Sequence, residues 1–264
     1  MFDFHMHCAL SHDAEDSAKK MVAAAEERGL SEIAFTDHYD FKAAVGESYA
    51  LFSFDEYRKM YDGLSSDKVK IRRGVEFGFY TWTEHELEKV ENELKPDFII
   101  GSLHAVGDFD PYHSEYWQIP GDPYERYLRC ELDCLRVCKP RSFDVLGHLN
   151  YVCKSVHNTV KKPLLYEDYP ELCDEILSEL VKKDIGLEIN TSGVDRIGHF
   201  LPDRDILSRF YELGGRIVTV GSDAHDVSRV GQYTSEAAAL ACEIFGYVCT
   251  FENRKPIFHK LTRA

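Results

Sequence analysis

The chain has no basic block, no long apolar run and no closely spaced cysteine framework. Its 264 residues carry a formal net charge of −15. A long nucleic acid or an anionic membrane surface needs a positive footprint, so neither is expected as the main partner. A small anionic substrate stays compatible with this charge if metals or a few arginines supply local positive potential. The first residues lack a basic segment followed by an apolar one, and no run approaches membrane-spanning length. The expectation is a soluble, cytoplasmic protein. The 8 cysteines form no disulfide pattern. Cys130, Cys134 and Cys138 recur every fourth residue and share one helix face, where they read as small buried apolar groups; the spacing usual for zinc is missing.

What is present is core. Apolar residues make up 44% of the chain, enough for one barrel-sized domain or for two smaller ones. No composition break, linker or repeat divides the chain, so residues 1–264 read as one domain. Strand-like runs rich in Val, Ile and Phe fall near 2–6, 32–37, 69–77, 97–103, 144–148, 185–190 and 216–222. Several are apolar throughout, as parallel strands covered on both faces are. Helix patterns lie between them at 17–28, after a possible N-cap Asp16, and at about 123–138, 168–183, 203–213 and 235–245. Thr83 with Glu86 has capping-box spacing before another. Two stretches, 39–66 and 105–122, are long, irregular and aromatic, and read as candidate lids. The segment after Gly246 reads as a short strand or extended closing piece. Alternating β and α with about seven strands predicts an α/β barrel, with an open doubly wound sheet as the alternative.

Metal-binding residue types sit where these strands end. Strand one closes on His5 and His7, the second on Asp37-His38, then come Glu76, His104 and His148, and the last ends in Asp223 with His225 two residues on. In a parallel barrel all these ends share one face, the face on which active sites are built. His5 and His7 are two apart and leave their strand on the same side, and Asp223 and His225 repeat that spacing. One histidine after a strand is usually an ordinary polar residue; six of them with two carboxylates predict a polynuclear metal site. Imidazole and carboxylate without thiolate suit Zn, Mn or Fe. Neighbouring ions sharing a carboxylate such as Glu76 can activate water and neutralise the group attacked, which points to metal-assisted hydrolysis of a phosphate ester. Glu188 and Asn190 on the sixth strand either orient ligands or close the polar end of the barrel.

The ordered series HMH, TDH, GVEFG, GSLHAV, DVLGHL, LEINTSG and GSDAH resembles the PHP (polymerase and histidinol phosphatase) family, most of all its stand-alone histidinol-phosphatases. The match runs from about residue 3 to 226. The resemblance implies a distorted seven-stranded β/α barrel and three divalent metal ions, zinc, iron or manganese. The first ion would be held by His5, His7, Glu76 and Asp223, the second by Glu76, His104 and His148, and the third by Asp13, His38 and His225. His12 and Asp13 are adjacent and either type binds metals; the family spacing H-x-H-x-x-x-S-x-D selects Asp13. The implied reaction is hydrolysis of L-histidinol phosphate in histidine biosynthesis by a metal-bridging hydroxide. Glu76, Asp223 and His225 would be catalytic, the last two as candidates for proton transfer. Arg196 and then Lys154 are the candidate phosphate-binding cations; each is also readable as a surface charge, Lys154 more so. Asn150 stands where relatives commonly carry an acid, which weakens any transfer of substrate specificity. Tyr112, Tyr116 and Trp117 would wall the pocket or pack back on the barrel, and His113 reads as structural or exposed. Two other readings compete: a related hydrolase of another small phosphomonoester, nucleotide or phosphotyrosine, and a non-catalytic metal-binding module.

Overall fold

The computed structural model describes residues 1–41 and 51–261. Its strands are β1 (Phe2–Met6), β2 (Glu32–Phe35), β3 (His38–Tyr39), β4 (Lys70–Gly78), β5 (Phe98–Ser102), β6 (Val145–Leu146), β7 (Gly186–Asn190) and β8 (Val218–Gly221). Seven pair in the order β1-β2-β4-β5-β6-β7-β8, all parallel, and β3 pairs with the upper part of β4. The path curls until β8 meets β1. There the Asp223 N–H donates to the His5 carbonyl at 2.7 Å and the His7 N–H to the Ala224 carbonyl at 2.8 Å. Buried Asp3 clamps the seam, accepting from the backbone N–H groups of Ser222 and Gly231, each at 2.8 Å. The result is the nearly closed seven-stranded barrel expected, not an open sheet.

Around it lie α1 (Ala18–Glu27), α2 (Phe54–Tyr61), α3 (Glu84–Leu94), α4 (Pro123–Val137), α5 (Pro170–Lys182), α6 (Val194–Ile197), α7 (Arg204–Glu212) and α8 (Thr234–Ile244). Outward strand residues such as Phe35, Phe77 and Ile99 pack with helix residues such as Leu132, Ile176 and Phe210 in one continuous apolar layer. Each such fully buried side chain stabilises the fold by about 1.5–3 kcal/mol. A second, smaller cluster joins Phe4, Ala34, Phe98, Ile100 and Val145 to Cys249 and Phe251. The last two belong to the antiparallel hairpin of β9 (Val248–Glu252) and β10 (Lys255–His259), which is the form the closing segment takes. Its turn donates from the Arg254 N–H to the Asp97 carbonyl at 2.9 Å, just before β5, so the hairpin covers the N-terminal end of the barrel.

Three local expectations need correction. Asp16 is not the cap of α1: Ser17 holds that position without a side-chain bond, while Asp16 accepts from Lys20 at 3.0 Å and from the Val227 N–H at 3.1 Å. The Thr83–Glu86 capping box does not form. Thr83 Oγ1 closes a turn with Tyr80, and Glu86 turns inward to accept from the Tyr39 hydroxyl at 2.8 Å. A buried hydroxyl needs a partner more than an exposed helix end does. A complete box instead joins Ser53 and Glu56 at the start of α2, inside the stretch read as irregular. The expectation of a lid at 39–66 falls partly on residues 42–50, which lie outside the described residues. Cys134 is buried and Cys130 half-buried on α4, Cys138 is half-buried at its C-terminal cap, and all are free thiols.

Candidate metal centre

The C-terminal ends of the strands converge on one carboxylate. Glu76 lies on β4 in register with His38 on one side and Ile100 on the other, and is fully buried. Its Oε1 stands 2.9 Å from His148 Nε2 and 3.2 Å from His104 Nε2, and accepts from Ser102 Oγ at 2.7 Å. Its Oε2 stands 2.9 Å from His38 Nδ1, 3.3 Å from His5 Nε2 and 3.5 Å from His7 Nε2. Asp223 Oδ1 faces the same two strand-one imidazoles, at 3.6 Å from His5 and 3.3 Å from His7. Asp223 has φ of 55°, a left-handed conformation that Asp adopts more readily than most residues, where the chain turns out of β8. Close approach is needed beneath it: a Cβ on Gly221 would lie 2.3 Å from the His5 Cβ and 2.5 Å from Glu188 Oε1.

The histidines are oriented from behind. His5 Nδ1 stands 2.6 Å from Glu188 Oε1, His104 Nδ1 2.9 Å from Asp40 Oδ1, and His225 Nδ1 2.9 Å from the Asp223 carbonyl oxygen. Each partner is an acceptor, so each Nδ1 carries a proton and each Nε2 is turned inward. His7 obeys the same logic by one more step. Ser11 Oγ donates to Asp37 Oδ1 at 2.8 Å and accepts from the His38 N–H at 3.1 Å. Its remaining lone pair can only accept, so His7 Nδ1, 3.0 Å away, is the donor.

His104 Nε2 meets Glu76 and His225 Nε2 meets His38, but the other two inward nitrogens, and two more atoms beside them, make no hydrogen bond. His5 Nε2, His7 Nε2, His38 Nδ1 and Glu76 Oε2 are all buried and unbonded. Such orphans cost about 1–3 kcal/mol each unless something else binds them. Four sets have donor atoms within 4.8 Å of one another: His5, His7 and Asp223; His5, Glu76 and His148; His7, His38 and His225; and His38, Asp40 and His104. The donor set therefore fits divalent cations, and imidazole with carboxylate suits zinc, iron or manganese. Without cations, protons fill the role. Burial alone would raise the Glu76 carboxyl, but His5, His38 and His104 hold it well below the usual range. Burial likewise opposes Asp223, which Lys154 and His5 hold low. Burial would lower His104, yet Asp40 and Glu76 raise it to about 10. Burial, with His225 and His38 beside it, pushes His7 well down.

Every residue expected as a ligand lies at this centre. Asp13 Oδ2 stands 3.1 Å from His225 Nε2 and 3.5 Å from His38 Nε2; His12 lines the same cavity, with Nδ1 3.8 Å from Asp13 Oδ1 and its ring 5.7 Å from that of His38. The grouping differs in detail from the expected one: His38 and His225 draw in His7, and His104 draws in Asp40. Asp40 is the residue that sequence reasoning missed. It follows His38 by two, the same spacing that singled out His5 and His7, and that signal was available. Ser11 and Asp37 were missed as orienting groups. Glu188 takes the orienting role, and Asn190 Nδ2 donates to it at 3.2 Å.

Above the centre opens a cavity of about 700 Å³ whose lining includes Asp13, His104, Asp110, Tyr112, His113, Tyr151, Lys154, Arg196, Asp223 and Arg229. Lys154 Nζ stands 2.5 Å from Asp223 Oδ2, and the Arg196 guanidinium donates to the Lys154 carbonyl and, at 3.4 Å, to the Tyr112 hydroxyl. Arg229 is a third lining cation, paired with Asp195 at 3.2 Å. Of the three loop aromatics, Tyr112 lines the cavity; Tyr116 is buried and Trp117 donates to the Pro111 carbonyl, so both pack back. His113 is exposed, one of the two readings expected of it, and lines the cavity. Asn150 is buried, with Nδ2 3.5 Å from the Leu164 carbonyl, and is absent from that lining.

Comparison with known proteins agrees with this architecture. A histidinol-phosphatase of Lactococcus lactis subsp. lactis is 32% identical over 231 residues, 86% of this chain and 85% of its own. A Clostridium acetobutylicum protein named "Probable histidinol-phosphatase" is 28% identical over 265 residues, 98% of this chain and 96% of its own. The crystal structure of the Lactococcus lactis histidinol phosphate phosphatase complexed with zinc, L-histidinol and phosphate superposes with a TM-score of 0.87 at 30% identity, covering 97% of this chain and 98% of that one. The profile of the PHP domain matches residues 3–192, and the chain belongs to the PHP domain family.

Proposed function

We propose that this protein is a metal-dependent phosphomonoester hydrolase that converts L-histidinol phosphate and water to L-histidinol and phosphate, in the cytoplasm, with residues 1–264 acting as one catalytic domain. The observation that carries this reading is the convergence of unbonded, buried imidazole and carboxylate donors on the floor of a cavity lined by cations. The Lactococcus lactis relative, whose structure holds zinc, L-histidinol and phosphate, supports the choice of substrate. Three divalent ions are the proposed complement. His5, His7, Glu76 and Asp223 would hold one, Glu76, His104 and His148 the second, and Asp13, His38 and His225 the third, with Asp40 against His104. Bound there, the ions would supply a nucleophile at neutral pH and neutralise phosphoryl charge.

The chain's own groups do the rest. Lys154 and Arg196, both on the cavity wall, bind the phosphate oxygens and stabilise the charge that develops on them. Asp223 and His225 stand on the same floor, and one of them would assist proton transfer to the departing alkoxide. Glu188, Asp40 and Ser11 keep the imidazoles aimed inward, which spares the reaction the cost of reorganising them.

The test is phosphate release by metal-loaded protein from L-histidinol phosphate, sugar phosphates, nucleotides and phosphotyrosine. A clear preference for histidinol phosphate is the expected result. Preference for another ester would overturn the substrate, and no release from any ester by protein shown to contain metal would overturn the enzyme. Metal analysis of protein purified without chelator gives the number and identity of the ions.

A further inference from the structure

Five carboxylates line the cavity: Asp13, Asp40, Asp110, Asp195 and Asp223. Four have a cationic or imidazole partner. Asp13 faces His225, Asp40 faces His104, Asp195 pairs with Arg229 and Asp223 with Lys154. Asp110 makes no direct ion pair among the described residues; His104 and His113 act on it only from further off. Its Oδ1 accepts from the Tyr112 N–H at 2.7 Å and the Tyr151 hydroxyl at 3.3 Å, which fixes the carboxylate in place. Oδ2 makes no hydrogen bond among the described residues.

The position of this free oxygen relative to the metal centre is set by Tyr151. Its ring packs against His148 and His104, at 5.1 and 5.2 Å between centroids, while its hydroxyl reaches Asp110. One aromatic side chain thus separates an anion-binding floor from an unpaired anion on the wall. A ligand matching both ends carries a phosphate and, a few bonds away, a positive charge. An ammonium group is charged throughout the neutral range, whereas an imidazole is mostly neutral above its pKa of about 6.5.

We propose that Asp110 is a specificity-determining residue that binds the ammonium group of an aminoalkyl phosphate substrate. The assignment rests on the phosphatase reading of the same cavity and narrows it. In L-histidinol phosphate the amino-bearing carbon is joined directly to the CH2 that carries the phosphate oxygen, so both charges fall within this short span. A charge-assisted hydrogen bond of this kind separates matched ligands by at least about tenfold.

The test uses 3-aminopropylphosphonate and propylphosphonate, which differ only in the ammonium group, keep the spacing of the natural ester and are not hydrolysed. Their dissociation constants are measured calorimetrically with metal-loaded wild type and Asp110→Asn. Asparagine keeps an oxygen to accept from Tyr112 and Tyr151. Wild type is expected to bind the amino compound at least about tenfold more tightly, and the variant to reduce that ratio to about twofold or less. No preference in wild type, an undiminished preference in the variant, or equal weakening of both compounds would each overturn the proposal, the last by showing that Asp110 only supports its loop. Turnover of L-histidinol phosphate is measured separately. Failure there with an intact, Asp110-dependent ammonium preference would remove the histidinol reading and leave Asp110 as an ammonium site.

Discussion

The two ends of the barrel both bury charge, and they treat it in opposite ways. At the N-terminal end, carboxylates meet arginines. Arg72, 4% exposed, donates to Glu32 at 2.6 Å and pairs with Glu252 at 2.8 Å. Arg254 donates to Asp144 at 2.7 Å, Glu91 at 3.0 Å and the carbonyls of Arg141 and Ser142 at 3.1 and 3.2 Å. Apart from one Arg72 nitrogen, these cations are part of the chain and the network is closed. At the C-terminal end, Glu76 is ringed by imidazoles: those of His104 and His148 meet it through Nε2, while the inward nitrogens of His5 and His7 make no hydrogen bond. One end carries its positive charge in its own sequence; the other is shaped to receive it. Structural charge is paired within the fold, and functional charge is left with an open valence.

Substitutions can break this contrast most sharply at its hub. Replacing Glu76 with Gln removes the anion shared by the proposed ions; metal content measured by plasma emission falls, and turnover falls by more than about a hundredfold. His104→Ala is expected to lose metal and activity together, and normal values for both would refute its assignment. Removing the ions with chelator leaves the lower end intact. Melting followed by circular dichroism should show a folded protein destabilised by about 4 kcal/mol for each ion held at a thousand times its dissociation constant. Arg254→Ala acts at the opposite end and costs about 3 kcal/mol, because Asp144 stays buried without its partner. Metal content and KM should not change. Ser11→Ala removes the acceptor that holds the His7 proton outward; metal affinity should fall about 10- to 100-fold while the apo protein melts within a few degrees of wild type.

The ends should also differ in their response to pH. In metal-free protein His104 is raised to about 10, above its unfolded value of about 6.5. The folded state then binds more protons than the unfolded one between those values. The stabilisation is complete below about pH 6.5 and is lost as pH rises through about 10. At the other end, the hydrogen bond from Arg72 lowers half-buried Glu252 to about 2, so its contribution is present at neutral pH and lost as pH falls through about 2. Metal-free protein melted at pH 6 and pH 9 should be less stable at pH 9. Adding zinc should reverse that order, since cations and protons compete for the same nitrogens.

Much of this was legible in the chain because the chemistry is carried by residue type and place. Parallel strands are nearly continuous apolar runs, and their C-terminal ends share a face by construction. Six of the seven strand ends finish in His, Asp or Glu, which points to both the barrel and the centre. What the chain did not disclose depends on partners remote in sequence. Glu86 left its capping position for Tyr39, 47 residues away. His7 has its proton fixed by Ser11, which is itself fixed by Asp37, 26 residues further on. Asp110 is distinguished from the other cavity carboxylates only by what failed to come near it. The identity of a ligand was thus decided by local pattern, whereas its tautomer, its neighbours and its freedom to bind were decided by tertiary structure. A hydrogen bond is settled by geometry between groups that the sequence does not place side by side.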